Sequence, residues 1–183
     1  MVYAGNMGVA QSMDMILDLA TDMQDRSDVG FLFVGRGSDA ETLAQTAKER
    51  GLNNTVFFDE IDPDSIPDLY QQCFGGIVSL DHRHKSHNIP GKFLTYMQSG
   101  LPVFAKINPG NDLAKMIANH DVGVSCSSQS IQALRQQLEL FLARFETDQA
   151  HPARCVNLYA QEFSSEICAQ KIVQALQCRG RFR

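Results

Sequence analysis

Six short apolar runs, each followed by a turn and then by a stretch of helical spacing, constrain this chain more than any other feature. Val2-Tyr3-Ala4 opens the series. Residues 29–34 are almost continuously apolar, as expected of a strand buried on both faces of a parallel sheet. Thr55-Val56-Phe57-Phe58 and residues 74–80, 101–105 and 122–125 complete the six. Between them, Met13, Ile16, Leu17 and Ala20 mark a helix to about Gln24. Ser38 with Glu41 three places on reads as a capping box for a helix to Arg50, which Gly51 ends. Asp64 reads as the cap of a short helix through Leu69 and Tyr70, and Pro109-Gly110-Asn111-Asp112 leads into one reaching Asn119. Helical spacing over residues 130–144, 151–162 and 166–177 closes the chain. The alternation predicts an α/β fold in one domain over residues 1–183. It is a Rossmann-like open parallel sheet of about six strands with helices on both faces. Sheets of this kind take ligands at the carboxyl ends of their strands. The loops at that edge are residues 5–8, 35–38, 59–63, 81–92 and 108–112.

At 183 residues the chain is long enough for one buried core and short for two. A net charge of -5 argues against a general nucleic-acid or membrane-surface protein. Cys73, Cys126, Cys155, Cys168 and Cys178 form no CxxC pair and are odd in number, which fits reduced thiols in a cytoplasmic setting. No apolar run approaches the roughly 18 residues of a membrane span, and no signal peptide is visible. A strand beginning at the second residue reads as a piece cut from something longer.

Candidate chemistry gathers at the loop edge. Pro90-Gly91 sets up a helix start, and Phe93, Leu94, Tyr96 and Met97 follow at helical spacing until Gly100 stops it. Lys92 therefore stands in a first turn, where the helix dipole prefers an anion. Either its ammonium snorkels outward, or it joins the free N–H groups there in holding a phosphate. Gly5-Asn6-Met7-Gly8 is either a plain tight turn or a diphosphate cradle; the dinucleotide GxGxxG pattern is absent. Gly35-Arg36-Gly37 lets a ring or ribose approach the backbone, with Arg36 stacking or meeting a phosphate, or else it is a capped turn with a solvated arginine. His82, His84 and His87 share one loop, but Arg83 and Lys85 between them disfavour a metal ion, and none is expected. Asp59 and Glu60 lie in a loop where paired acids more often mean solvation than catalysis. There is no GxSxG elbow, P-loop or HExxH. Residue chemistry alone thus reaches a binder of phosphate-bearing small molecules.

The order of the pieces resembles the C-terminal, donor-binding half of GT-B glycosyltransferases, specifically retaining enzymes of family 4. Tyr3-Ala4-Gly5-Asn6-Met7-Gly8-Val9-Ala10-Gln11-Ser12, Phe33-Val34-Gly35-Arg36-Gly37 and Val56-Phe57-Phe58 carry part of the likeness. Lys92-Phe93-Leu94-Thr95-Tyr96-Met97-Gln98-Ser99-Gly100-Leu101-Pro102-Val103 is similar to the P-x-K-x-x-E-Y-x-x-x-G-x-P-V stretch of bacterial surface-polysaccharide transferases. The resemblance implies transfer of a sugar from a nucleotide diphosphate, UDP-linked, with retention and without cofactor or metal. Gly5, Asn6, Met7, Gly8, Gln11 and Lys92 would then meet the donor diphosphate and sugar. Gly35, Arg36, Gly37, Phe58, Asp59, Ile61 and Thr95 would flank the nucleoside. It also implies a separate N-terminal acceptor half and a cytoplasmic parent peripheral to the inner membrane, with no nucleic acid as partner. The family's basic pair near the first loop falls on Asn6 and Gln11, and its two glutamates fall on His87 and Thr95. His87, the candidate catalytic residue, can donate to an acceptor oxygen. An epimerase acting on UDP-N-acetylglucosamine and a non-catalytic nucleotide-binding or assembly module share the architecture and remain alternatives.

Overall fold

The computed structural model describes residues 1–83 and 89–179, the side chains of 178 and 179 excepted. Strands β1 (Val2–Ala4), β2 (Phe31–Val34), β3 (Thr55–Phe58), β4 (Gly76–Ser79), β5 (Val103–Lys106) and β6 (Gly123–Cys126) form one sheet. Its order is β3-β2-β1-β4-β5-β6, and every neighbouring pair is parallel. The open parallel α/β sheet expected from the alternation is therefore the fold observed. Because strand side chains alternate between faces, two cores form. Tyr3, Phe31, Phe33, Ile77 and Phe104 pack under α1 (Met13–Asp22), α2 (Ala40–Glu49) and α6 (Ile131–Thr147). Val2, Ala4, Val34, Val78, Val103 and Ala105 pack under α3 (Ile66–Gln71), α4 (Gly91–Gln98), α5 (Asp112–His120) and α7 (His151–Glu162). A last helix, α8 (Ser165–Arg179), lies against α7 and leaves Ile172, Val173 and Leu176 exposed. Among the described residues no helix is long and apolar enough to cross a membrane.

Two expected caps are corrected. Ser38 does not close a capping box: Asp39 is the N-cap of α2 without a side-chain bond, and the Ser38 hydroxyl donates to its carboxylate (2.6 Å). The Asp39 amide is already drawn to the Met7 carbonyl (3.0 Å), so loop packing rather than a side chain fixes that helix start. In the β3–α3 connection the cap is Asp62, not Asp64. Pro63 begins a short 3-10 turn there, and the Asp62 carboxylate accepts from the Asp64 amide (2.9 Å). Gly51 ends α2 as expected, at φ +65°.

Order reverses between β1 and β4: the chain winds one way from β1 to β3 and the other way from β4 to β6. Open α/β sheets bind ligands in the crevice outside the carboxyl ends at such a reversal. Helix α4 is seated over it because Phe93, Tyr96 and Met97, at i, i+3 and i+4, are all fully buried. Burial of this order stabilises by about 2 kcal/mol per large side chain.

Candidate functional site

Lys92 occupies the second position of α4, and its side chain returns across the β1–β4 junction. Its ammonium lies 4.5 Å from the centre of the Tyr3 ring. A Cβ placed on Gly5 would stand 3.6 Å from its Cε and 3.8 Å from its Nζ. Tyr3 is itself locked, fully buried with its hydroxyl donating to the Asn6 carbonyl (2.5 Å). Burial lowers the Lys92 pKa from 10.5 to about 8, and among the described residues no carboxylate counters it. Pro90, the N-cap, offers no side-chain bond, and the Gly91 and Lys92 amides have no partner among the described residues. A half-buried cation thus sits at the positive end of a helix dipole, which is unfavourable on both counts. The side chain lies back over Tyr3 and does not extend outward from the helix.

The β1–α1 loop is less open than a phosphate cradle. Gly5 donates to Val34 (2.9 Å) and Met7 to Arg36 (2.7 Å), both to backbone carbonyls. Gly8 donates to the Gln11 side-chain oxygen (3.1 Å), which also takes the Asn6 amide group (3.2 Å). Of the loop's backbone amides, that of Asn6 alone lacks a partner among the described residues, its side-chain amide being the group that meets Gln11. The Gln11 side-chain oxygen is thus spent on holding the loop, and its amide NH2 has no partner among the described residues. Met7 points into the core with 1% exposure and both backbone groups bonded, so it anchors the loop and its side chain faces no ligand.

Gly35 and Gly37 serve the same packing. At φ +131° and +151° their Cβ positions would fall 2.3 Å from the Gly5 carbonyl oxygen and 2.0 Å from that of Met7. Their glycine requirement is met by another loop's backbone. Arg36 is exposed and pairs with Glu60 (3.0 Å) across to the β3–α3 loop. Exposed Phe58 at the end of β3, with exposed Asp59 and half-buried Ile61 of that loop, lies at the same sheet edge two strands from Lys92. Thr95 is exposed on α4, donates to the Lys92 carbonyl (2.9 Å), and lines a cavity of about 770 Å³ with Pro63, Ile66 and Gln98. His87 and His84 lie outside the described residues. Arg83, expected to make its loop cationic, is instead neutralised: it forks onto the Asp81 carboxylate (2.8 and 2.9 Å) and holds it well below the usual carboxylate range.

Three contributors escaped sequence reasoning. Tyr3, read as a strand residue, is the platform for Lys92. Glu60, which its loop position marks as solvated, is the partner of Arg36. Lys106, at the end of β5, is fully buried and donates to the Leu80 carbonyl (3.0 Å), its pKa lowered chiefly by burial. No local signal marks any of them.

The fold matches GT-B glycosyltransferase structures. Against HepE of Anabaena in complex with UDP the TM-score is 0.75 at 16% identity, covering 97% of this chain and 48% of that one. Against the catalytic domain of the cholesterol-alpha-glucosyltransferase of Helicobacter pylori it is 0.70 at 9% identity, covering 87% and 96%. In sequence, the chain is 32% identical over 134 residues to "Putative colanic acid biosynthesis glycosyl transferase WcaI" of Escherichia coli (strain K12), 73% of this chain but only 33% of that protein. The chain therefore spans about a third of the length of that relative. Residues 1–144 match the family described as glycosyl transferases group 1, and the chain belongs to that glycosyltransferase family.

Proposed function

We propose that this chain is the donor-binding part of a retaining glycosyltransferase that takes a sugar from a UDP-sugar to a glycan or lipid-linked acceptor. The observation that carries the reading is Lys92: a desolvated cation in a helix first turn, over the strand reversal, with no carboxylate among the described residues to balance it. A diphosphate placed there supplies the missing charge and accepts from the free Gly91 and Lys92 amides. The chemistry follows from that. As the anomeric C–O bond breaks, its electron pair leaves on the diphosphate, and Lys92 stabilises the charge as it develops. The acceptor oxygen adds to the same face, and its proton departs with the nucleoside diphosphate. His87 is the proposed donor to the acceptor oxygen, and Thr95 with residues 58–61 the proposed nucleoside contacts. Support for UDP comes from relatives, since HepE of Anabaena was solved with UDP and with UDP-glucose. The acceptor belongs, in this reading, to an N-terminal half of a longer cytoplasmic parent at the inner membrane, and the isolated chain binds donor without turning it over.

A non-catalytic nucleotide-binding module is the second reading. Thr95 favours it, because its hydroxyl is committed to the Lys92 carbonyl where the family places a carboxylate. Calorimetric titration with UDP, UDP-sugars and GDP-sugars tests the proposal. Binding of UDP and a UDP-sugar in preference to GDP-sugars supports it. Absence of binding by all of them at millimolar concentration overturns it.

A further inference from the structure

The ladder between β1 and β4 stops early. Where β1 pairs with β2 at all three of its residues, it pairs with β4 at Val2↔Gly76 alone. The Tyr96 hydroxyl stands where the next rung belongs. It lies 3.2 Å from the Val2 carbonyl oxygen and 3.3 Å from that of Ile77, and it accepts from the Ala4 amide (3.4 Å). The hydroxyl bridges the Ala4 amide and the Ile77 carbonyl, which the next direct rung would join, and also reaches the Val2 carbonyl of the existing rung.

The ring is held for this task. Tyr96 is fully buried, its plane tilted against Tyr70 at 4.8 Å between centres. Gly76 makes room for it, since a Cβ there would stand 2.6 Å from the Tyr96 ring. Lys92 precedes Tyr96 by four residues, so both side chains leave α4 on one face, with Lys92 a turn nearer the strand ends.

We propose that the Tyr96 hydroxyl is the wedge that parts β1 from β4 and so sets the place of Lys92 over Tyr3 and Gly5. Tyr96 is a positioning residue: it touches no ligand, and it acts through the lysine above it. Its functional meaning rests on the donor-site reading, but its geometry does not.

The test is Tyr96→Phe, which keeps the ring and removes the wedge. In protein carrying isotope-labelled lysine, the Lys92 resonance is assigned by its loss in Lys92→Met and followed through a pH titration. In folded Tyr96→Phe the strands close, Lys92 is expelled to solvent, and its midpoint rises from about 8 toward 10.5. UDP affinity falls about tenfold or more, the scale of the charge-assisted bond that the displaced Lys92 no longer makes. Ile117→Val, a buried change on α5, controls for lost stability and leaves both readouts at native values. A folded Tyr96→Phe whose Lys92 titrates as in the native protein overturns the inference. Should the variant not fold, the native protein still decides: the Tyr96 hydroxyl proton shows a cross-relaxation peak to the Ala4 amide if the wedge exists, and its absence defeats it. Failure of UDP to bind the native chain defeats the donor-site reading and leaves the lysine titration to judge the wedge.

Discussion

Replacing Lys92 by Met should make the free protein more stable and the nucleotide complex weaker. Met keeps most of the aliphatic stem and removes the charge. The fall from 10.5 to about 8 measures how much the native surroundings disfavour the ammonium. At about 1.4 kcal/mol per pH unit the full penalty is roughly 3 kcal/mol. Lys92 is only half-buried, so solvent screening reduces this to about 1–2 kcal/mol. The Tyr3 ring returns part of it, about 0.5 kcal/mol at a partly solvated site. A net gain of about 1 kcal/mol remains for Lys92→Met at pH 7, and the Tm rises by roughly 3 °C for a chain of this length.

The sign of the pH dependence follows. Between pH 8 and 10.5 the unfolded chain holds a proton on this lysine that the folded chain has lost. Native stability therefore rises across that window, and the advantage of Lys92→Met shrinks over it and vanishes above. Binding runs the other way: a diphosphate favours the ammonium, so native UDP affinity is greatest below pH 8 and declines above. In Lys92→Met the affinity at pH 7 drops by about 1.5–3 kcal/mol, the value of a charge-assisted hydrogen bond. Denaturant melts at pH 7 and pH 10.5 together with UDP calorimetry measure all of this. A variant that is less stable at pH 7 and binds UDP undiminished refutes the reasoning, because Lys92 would then be a structural cation.

Two other substitutions probe the loops. Glu60→Gln releases Arg36 from an exposed pair and so changes stability by less than about 0.5 kcal/mol. If Arg36 meets the donor, UDP affinity rises about threefold on calorimetry; an unchanged affinity removes Arg36 from the site. Gly37→Ala forces a methyl to within 2.0 Å of the Met7 carbonyl oxygen at an unfavourable φ. It costs about 3 kcal/mol in a denaturant melt, and a near-native melt shows that the two loops are not held as described.

Where local chemistry decided the structure, the sequence was readable. Phe93, Tyr96 and Met97 announced α4 by spacing, Gly51 and Gly100 announced helix ends, and the apolar runs announced the sheet edge where Lys92 stands. Partners far apart in sequence were not readable. Gly35 and Gly37 carry the glycine signature of ligand approach, yet the groups that approach them are the Gly5 and Met7 carbonyls, some thirty residues earlier. The Tyr96 hydroxyl meets Ala4 across 92 positions, so its apolar periodicity concealed a polar role. Arg83 read as free charge because its partner Asp81 is set by loop geometry and not by helical spacing.

Lys106 supplies the contrast that gives Lys92 its meaning. Both are lysines at the carboxyl edge of one sheet, and burial lowers the pKa of both. Lys106, fully buried, has what such a group requires: the Leu80 carbonyl at 3.0 Å, and the charges of Asp81 and Asp14, which favour its ammonium. Lys92 has an aromatic face and, among the described residues, nothing anionic. Lys106→Met strands the Leu80 carbonyl and should cost about 1–2 kcal/mol, opposite in sign to Lys92→Met, while UDP affinity in the folded variant stays near native. If the two variants move stability in the same direction, the division of labour fails. If they diverge, the one cation of the pair without an anionic partner is the one that a ligand completes.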